Sequence, residues 1–108
     1  MFNSLIIGLG QIGCGYDYDL NANEYILTHA QAIQAHPAFK LIAGIDISTK
    51  NRKMFESKFQ KPVYNKISEL EFTEELDVVV VAVPLEIHLE TVKKIVARFP
   101  PKLILLEK

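Results

Sequence analysis

A single cysteine, Cys14, leaves the chain unable to close an internal disulfide, which fits a reducing, cytoplasmic compartment. With no His or second Cys beside it in sequence, Cys14 reads as a small packing residue, and no metal ligands are nominated. No charge of one sign dominates either, since 12 Lys and Arg stand against 13 Asp and Glu. The resulting net charge of −1 gives no electrostatic reason to expect nucleic acid or an anionic membrane as a partner. The densest basic cluster, Lys50, Arg52 and Lys53, reads as one solvated helix face. No apolar run approaches the length that spans a bilayer. The first residues also lack the positive start and the unbroken apolar stretch of a signal peptide. Glycine is scarce too, five in all, and three of the five fall within six residues of one another.

Those three stand in Gly8-Leu9-Gly10-Gln11-Ile12-Gly13, directly after the apolar run Leu5-Ile6-Ile7. The stretch reads as the turn at the end of a buried strand. Gly8 allows a tight turn, Gly10 lets the backbone approach a pyrophosphate, and Gly13 lets the next segment pack close to the sheet. Backbone N–H groups of Gln11, Ile12 and Gly13 would face the phosphates, helped by the positive end of a helix dipole. Alone, the hexapeptide fits equally a glycine-rich strand-to-helix turn that binds nothing, so its strand, helix and acid context decides.

At 108 residues, with 49% hydrophobic and 23% charged content, the chain is one ordinary globular domain. Strands are expected at Ser4 to Leu9, Phe39 to Asp46, Asp77 to Val83 and Lys102 to Glu107, with a short edge strand at Pro62-Val63-Tyr64. The unbroken runs Val78 to Val81 and Leu103 to Leu106 predict strands covered on both faces, as in a parallel sheet between helices. Thr28 and Gln31 fit a capping box opening a helix through Ala30, Ile33 and Ala35 that Pro37 closes. Ser48 caps a second helix that turns Met54, Phe55 and Phe59 to the core. A third begins with Pro84 at its first position and runs to Pro100-Pro101, with Leu85, Leu89, Val92, Val96 and Phe99 as its buried stripe. The element order predicts an α/β fold, a doubly wound parallel sheet of the Rossmann type with strand order 3-2-1-4-5. Ligands of such sheets bind at the carboxyl ends of the strands, which puts Gly8 to Gly13, Asp46, Val83, Pro84, Glu107 and Lys108 on one rim.

Asp46 ends the second strand, where a carboxylate accepts hydrogen bonds from an adenosine ribose and repels a 2′-phosphate, so NAD is expected over NADP. It lies 33 residues after Gly13, and setting aside the 13 residues Gly15 to Leu27 as an insertion restores the usual spacing of about 20. That insertion carries Tyr16, Tyr18 and Tyr25, and it reads as a loop on the domain's own surface or as a lid over the pocket.

The ordered set from Gly8 to Gly13 through His29-Ala30, Asp46 and Pro84-x-x-x-His88 to Glu107-Lys108 resembles the N-terminal domain of the glucose-fructose oxidoreductase, inositol dehydrogenase and MocA (Gfo/Idh/MocA) family. The resemblance covers the whole chain. It implies an NAD(P)-dependent oxidoreductase acting on a hydroxyl or carbonyl carbon of a sugar, cyclitol or related molecule. It makes Lys108 the residue that hydrogen-bonds the reacting hydroxyl and assists its proton transfer. Glu107 becomes an orienting or structural carboxylate, Val83 and Pro84 border the nicotinamide, and His88 lies one helical turn further on, in a functional or a packing role. His29 reads as structural. The family also carries a second α/β domain, absent from these residues, that completes the substrate pocket and the usual subunit contacts of a homo-oligomer. The 108 residues are accordingly expected to be the cofactor-binding part of a longer protein, inactive alone. Two other readings share the fold: a stand-alone NAD(H)-sensing module, which has no need of the histidine or the terminal lysine, and a scaffold that binds nothing.

Overall fold

The computed structural model describes residues 1–10 and 28–107. The expectations for Gln11, Ile12, Gly13, Cys14, the insertion Gly15 to Leu27 and Lys108 lie outside the described residues.

Five strands form one parallel sheet in the order β3-β2-β1-β4-β5: β1 (Phe2–Ile7), β2 (Phe39–Ile45), β3 (Val63–Tyr64), β4 (Val78–Val81) and β5 (Leu103–Leu106). Among the described residues three helices join them, α1 (His29–Ala35), α2 (Thr49–Phe59) and α3 (His88–Arg98), with short 3₁₀ turns at Ile67–Glu69 and Leu85–Ile87. This is the doubly wound order expected from the sequence. Strands β1, β2, β4 and β5 end one or two residues before their expected ends, because the rim residues turn out of the ladder to form loops.

Apolar side chains alternate across the central strands and make a core on each face. On one face Leu5, Ile7, Val79 and Val81 pack with Ile95 of α3; on the other Ile6, Leu41 and Val80 pack with Ala30 of α1 and Phe55 and Phe59 of α2. Gly44 makes the second core possible. A Cβ on it would lie 3.0 Å from the Leu9 side chain and 3.1 Å from the Phe55 ring. The helix caps are as the sequence reads: the Thr28 hydroxyl accepts from the Gln31 amide, and that of Ser48 from the Asn51 amide.

The structure corrects two expectations about burial. Pro84 does not open an α-helix; it precedes the 3₁₀ turn Leu85–Ile87, and α3 starts at His88. That turn shifts the helix phase, so the buried stripe is His88, Thr91 and Ile95, while Leu85, Leu89 and Val96 are exposed. His88 and Thr91 tolerate burial because each gives its proton to a backbone carbonyl, Nε2 to Val83 at 2.8 Å and Oγ1 to Ile87 at 2.8 Å. The second correction concerns β5. Its run Leu103 to Leu106 is expected to be covered on both faces, yet Leu103, Leu105 and Leu106 are exposed. Strand β5 is the sheet edge, and α1 sits over β1 and β2, too far across the sheet to shield it. In α1 itself, Ala30 and Gln31 are buried on the inner face and Ala35 is exposed.

At the opposite end of the sheet from the glycine turn, Asp77 ties three segments together. Its carboxylate accepts the Asn3 amide at 2.8 Å and pairs with Lys102 at 3.2 Å. The Asn3 hydrogen bond, and then Lys102, hold the Asp77 carboxyl below the usual carboxylate range. A depressed carboxylate stabilises the fold above its ordinary pKa and loses that contribution as pH falls through the lowered value. Urea denaturation of wild type between pH 5 and 3 should therefore show stability falling towards the acid end, and Asp77→Asn should flatten that slope; an unchanged slope would remove Asp77 from the account of acid sensitivity.

Candidate functional site

The chain turns out of β1 at Gly8, where three strand ends meet. Its amide donates to the Ile45 carbonyl at 2.7 Å, and its φ of +101° lies in the region that favours glycine. A Cβ on Gly8 would stand 2.6 Å from the Ala82 carbonyl oxygen, so the closeness that demands glycine here is that of β1 to the end of β4. Gly10 differs. No described atom lies within 4 Å of where its Cβ would be, and it lines an open groove.

That groove, about 950 Å³, runs along the carboxyl rim past the point where β1 separates from β4. Gly8 and Gly10 floor it. Asp46, Ile47 and Asn51 stand on the β2 side, Asn65 and Ser68 extend that wall, and Val83, Pro84, Ile87 and Thr91 form the other. A smaller hollow of about 270 Å³ at the β2–β3 edge, beside Lys40, Lys61 and Phe72, shares no residue with it.

Asp46 is held from several directions. Its Oδ2 accepts the Leu9 amide at 2.8 Å and Asn51 Nδ2 at 3.1 Å, and its Oδ1 accepts the Ser48 amide at 2.8 Å. Each carboxylate oxygen can take about two donors, so Oδ1 keeps an acceptor position open among the described residues. The bond to Leu9 links the acid directly to the glycine turn, and the bond to Ser48 starts α2. Arg52 stands close by but is engaged: Nη1 donates to the Asp46 carbonyl at 2.8 Å and to Asn65 Oδ1 at 3.3 Å, and Nη2 to Thr49 Oγ1 at 3.1 Å.

The other residues predicted from sequence divide. Val83 and Pro84 line the groove. His88 does not; its ring is buried beneath them and holds the Val83 carbonyl, which fixes the turn that Pro84 caps. Glu107 is also outside the groove, its carboxylate paired with His29 Nε2 at 3.1 Å. Sequence reasoning missed Asn51, Arg52 and the Leu9–Asp46 link. Asn51 carries a readable signal, since it stands three residues after the capping Ser48, whereas the Leu9–Asp46 bond spans 37 positions and has none.

On Glu90 the neighbouring Lys94, at 2.9 Å along the helix, lowers the carboxyl's pKa at the outer lip of the groove. Among the described residues no group of three His, Cys, Asp or Glu side chains is placed to hold a metal ion, and no helix is long and apolar enough to cross a membrane.

A doubly wound parallel sheet with a glycine turn, an acid closing β2 and a groove at the switch point defines a dinucleotide-type domain. The chain belongs to the Gfo/Idh/MocA oxidoreductase family with an NAD-binding Rossmann fold, whose sequence profile matches residues 2–108. Among solved structures it is similar to a protein from Bordetella bronchiseptica RB50 provisionally assigned as a dehydrogenase (25% identity, TM-score 0.76, covering 99% of this chain and 24% of that one). It also resembles GenD2 from gentamicin A biosynthesis, solved in complex with NAD (20% identity, TM-score 0.73, 99% of this chain and 26% of that one). The fold is shared as well by myo-inositol 2-dehydrogenase from Lactobacillus plantarum (18% identity, TM-score 0.68, 99% and 28%). No curated protein sequence matches the chain. The chain thus spans roughly a quarter of the length of these solved structures, between 24% and 28%.

Proposed function

We propose that these residues bind NAD in the groove and present it, in a longer protein, for hydride transfer to or from the hydroxyl or carbonyl carbon of a sugar, cyclitol or related substrate. One observation carries the reading: the Asp46 carboxylate is fixed by three donors at the groove wall with an acceptor position left on Oδ1, across a floor that Gly10 keeps open. The pieces fit the cofactor. Gly10 admits a pyrophosphate where a side chain would project, Asp46 accepts from the adenosine ribose, and exposed Ile47 offers an apolar wall beside it. Val83 and Pro84, braced by His88, border the far end of the groove.

Bound NAD supplies a hydride acceptor, or returns the hydride when reduced. The chain's own part in chemistry falls to Lys108, whose ammonium or amine holds the reacting hydroxyl and passes its proton. The exposed apolar row of β5, Leu103, Leu105 and Leu106, is where the second domain or the elements leading to it would pack.

Selectivity follows from charge. A 2′-phosphate would meet the Asp46 carboxylate, and Arg52, the nearest guanidinium, is committed to Asp46, Asn65 and Thr49. Calorimetric titration should give a dissociation constant for NAD at least about tenfold below that for NADP. Tighter binding of NADP would overturn the assignment of the acid. In the full-length protein, Lys108→Ala should abolish turnover with NAD affinity nearly intact, and retained turnover would refute the role given to the lysine.

A further inference from the structure

The Asp46 carboxylate has fewer open positions than the ribose proposed to face it has hydroxyls. An adenosine ribose without a 2′-phosphate presents adjacent 2′- and 3′-hydroxyls, each with a proton to donate. Asp46 Oδ2 is filled, because the Leu9 amide at 2.8 Å and Asn51 Nδ2 at 3.1 Å take its acceptor positions. Oδ1 accepts the Ser48 amide at 2.8 Å and keeps a single position open among the described residues. The acid can therefore take one hydroxyl, and the other needs a second acceptor on the same wall.

Asn51 supplies it. Ser48 caps α2 by accepting the Asn51 amide at 3.2 Å, which puts Asn51 in the first turn, where side chains lean back toward the start of the helix. That lean brings its side-chain amide to Asp46, five positions earlier. Since a carboxylate only accepts, the branch that meets Oδ2 must be the nitrogen, and this fixes which way the group is turned. The carbonyl branch, Asn51 Oδ1, accepts no hydrogen bond from the described residues. Asn51 is half-buried and lines the groove beside Asp46. The guanidinium of Arg52 does not compete for it, being committed to the Asp46 carbonyl, Asn65 and Thr49.

We propose that the adenosine diol is read by two residues, one hydroxyl donating to Asp46 Oδ1 and the other to Asn51 Oδ1, which makes Asn51 a specificity-determining residue of the groove. The inference rests on the NAD-binding reading above. Both atoms only accept, so both require a hydroxyl proton; a 2′-phosphate, with little proton to give at neutral pH, opposes whichever of them it meets.

Calorimetric titration of the full-length protein with NAD and with two analogues, lacking the 2′- or the 3′-hydroxyl of the adenosine ribose, tests the division. Two substitutions separate the acceptors. Asn51→Ala removes the side-chain amide while the Leu9 and Ser48 amides still hold Asp46; alanine suits a helical position, and the main-chain bond to Ser48 survives. Asp46→Asn keeps an acceptor for Leu9 and Asn51 on one branch and puts a donor in place of Oδ1. Wild type should lose about fivefold in affinity with either analogue. Asn51→Ala should weaken NAD about fivefold, yet weaken by less than about twofold the one analogue that already lacks its hydroxyl. Asp46→Asn should show the same indifference to the other analogue. Indifference of both variants to the same analogue would mean that Asn51 only positions Asp46, and it overturns the proposal. So does either variant if it binds NAD as wild type does or loses equally on all three ligands. Wild-type binding of both analogues as tightly as NAD means that the diol is not read, which sinks the division and spares NAD binding itself. Absent NAD binding in wild type sinks the functional reading.

Discussion

Replacing Gly8 by alanine should cost the fold about 3 kcal/mol or more, a large share of the roughly 5–15 kcal/mol that holds a domain together. Two penalties coincide at this residue. The backbone sits at φ +101°, which side-chain-bearing residues rarely adopt, at a cost of about 1–3 kcal/mol. The added Cβ would also lie 2.6 Å from the Ala82 oxygen and 2.7 Å from its carbonyl carbon, and these are main-chain atoms at the end of β4 with no rotamer to retreat into. Relief requires β1 and β4 to part, which loosens the Gly8 bond to Ile45 and the Ala82 bond to Ile7, both 2.7–2.8 Å. Chemical denaturation should show the loss directly, and a Gly8→Ala protein as stable as wild type would mean that the crossing of β1 and β4 is not as tight as the geometry requires. The crevice at which β1 and β4 diverge is therefore held shut at its base by the same residue that begins the glycine turn.

The sheet was legible because parallel strands buried on both faces write themselves as unbroken apolar runs, and Val78 to Val81 and Leu5 to Ile7 are such runs. Asp46 was legible because its place at the end of β2 follows from chain order. What did not read from the sequence was, in each instance, a matter of phase or of distance. Spacing from Leu85 assigns the apolar stripe of α3, but the 3₁₀ turn at Leu85–Ile87 resets the rotation, and His88 and Thr91 take inner positions that a hydrophobic pattern gives to Leu89 and Val96. The apolar run of β5 predicts cover on both faces, whereas among the described residues only Ile104 of the run packs against a core, because an apolar run reads the same whether or not a partner stands over it. Gly44, unremarked in sequence, proves to be the close-packing glycine of the α2 face, with Leu9 and Phe55 against it. The His29–Glu107 pair and the Leu9–Asp46 bond close loops of 78 and 37 positions, and no local pattern reports such contacts.

Gly10→Ala should behave in the opposite way to Gly8→Ala, and the contrast separates architecture from function. Around Gly10 no described atom lies within 4 Å of the Cβ position, and its φ is not in the glycine region, so among the described residues alanine there meets no clash and its backbone is unstrained. Its stability should stay within about 1 kcal/mol of wild type, with a small gain from the lower entropy of the unfolded chain. Dinucleotide binding is another matter. If the pyrophosphate passes over Gly10, a methyl group pushes it off the backbone amides that hold it, and affinity for NAD should fall at least about tenfold, or 1.4 kcal/mol. A wild-type dissociation constant in the Gly10→Ala protein would place the phosphates elsewhere in the groove. The two variants stand two residues apart, yet one should act chiefly on the stability of the domain and the other chiefly on the affinity of the site. That pairing is possible because Gly8 faces the main chain of β4 while no described atom stands against Gly10, a distinction the motif Gly-x-Gly does not itself contain.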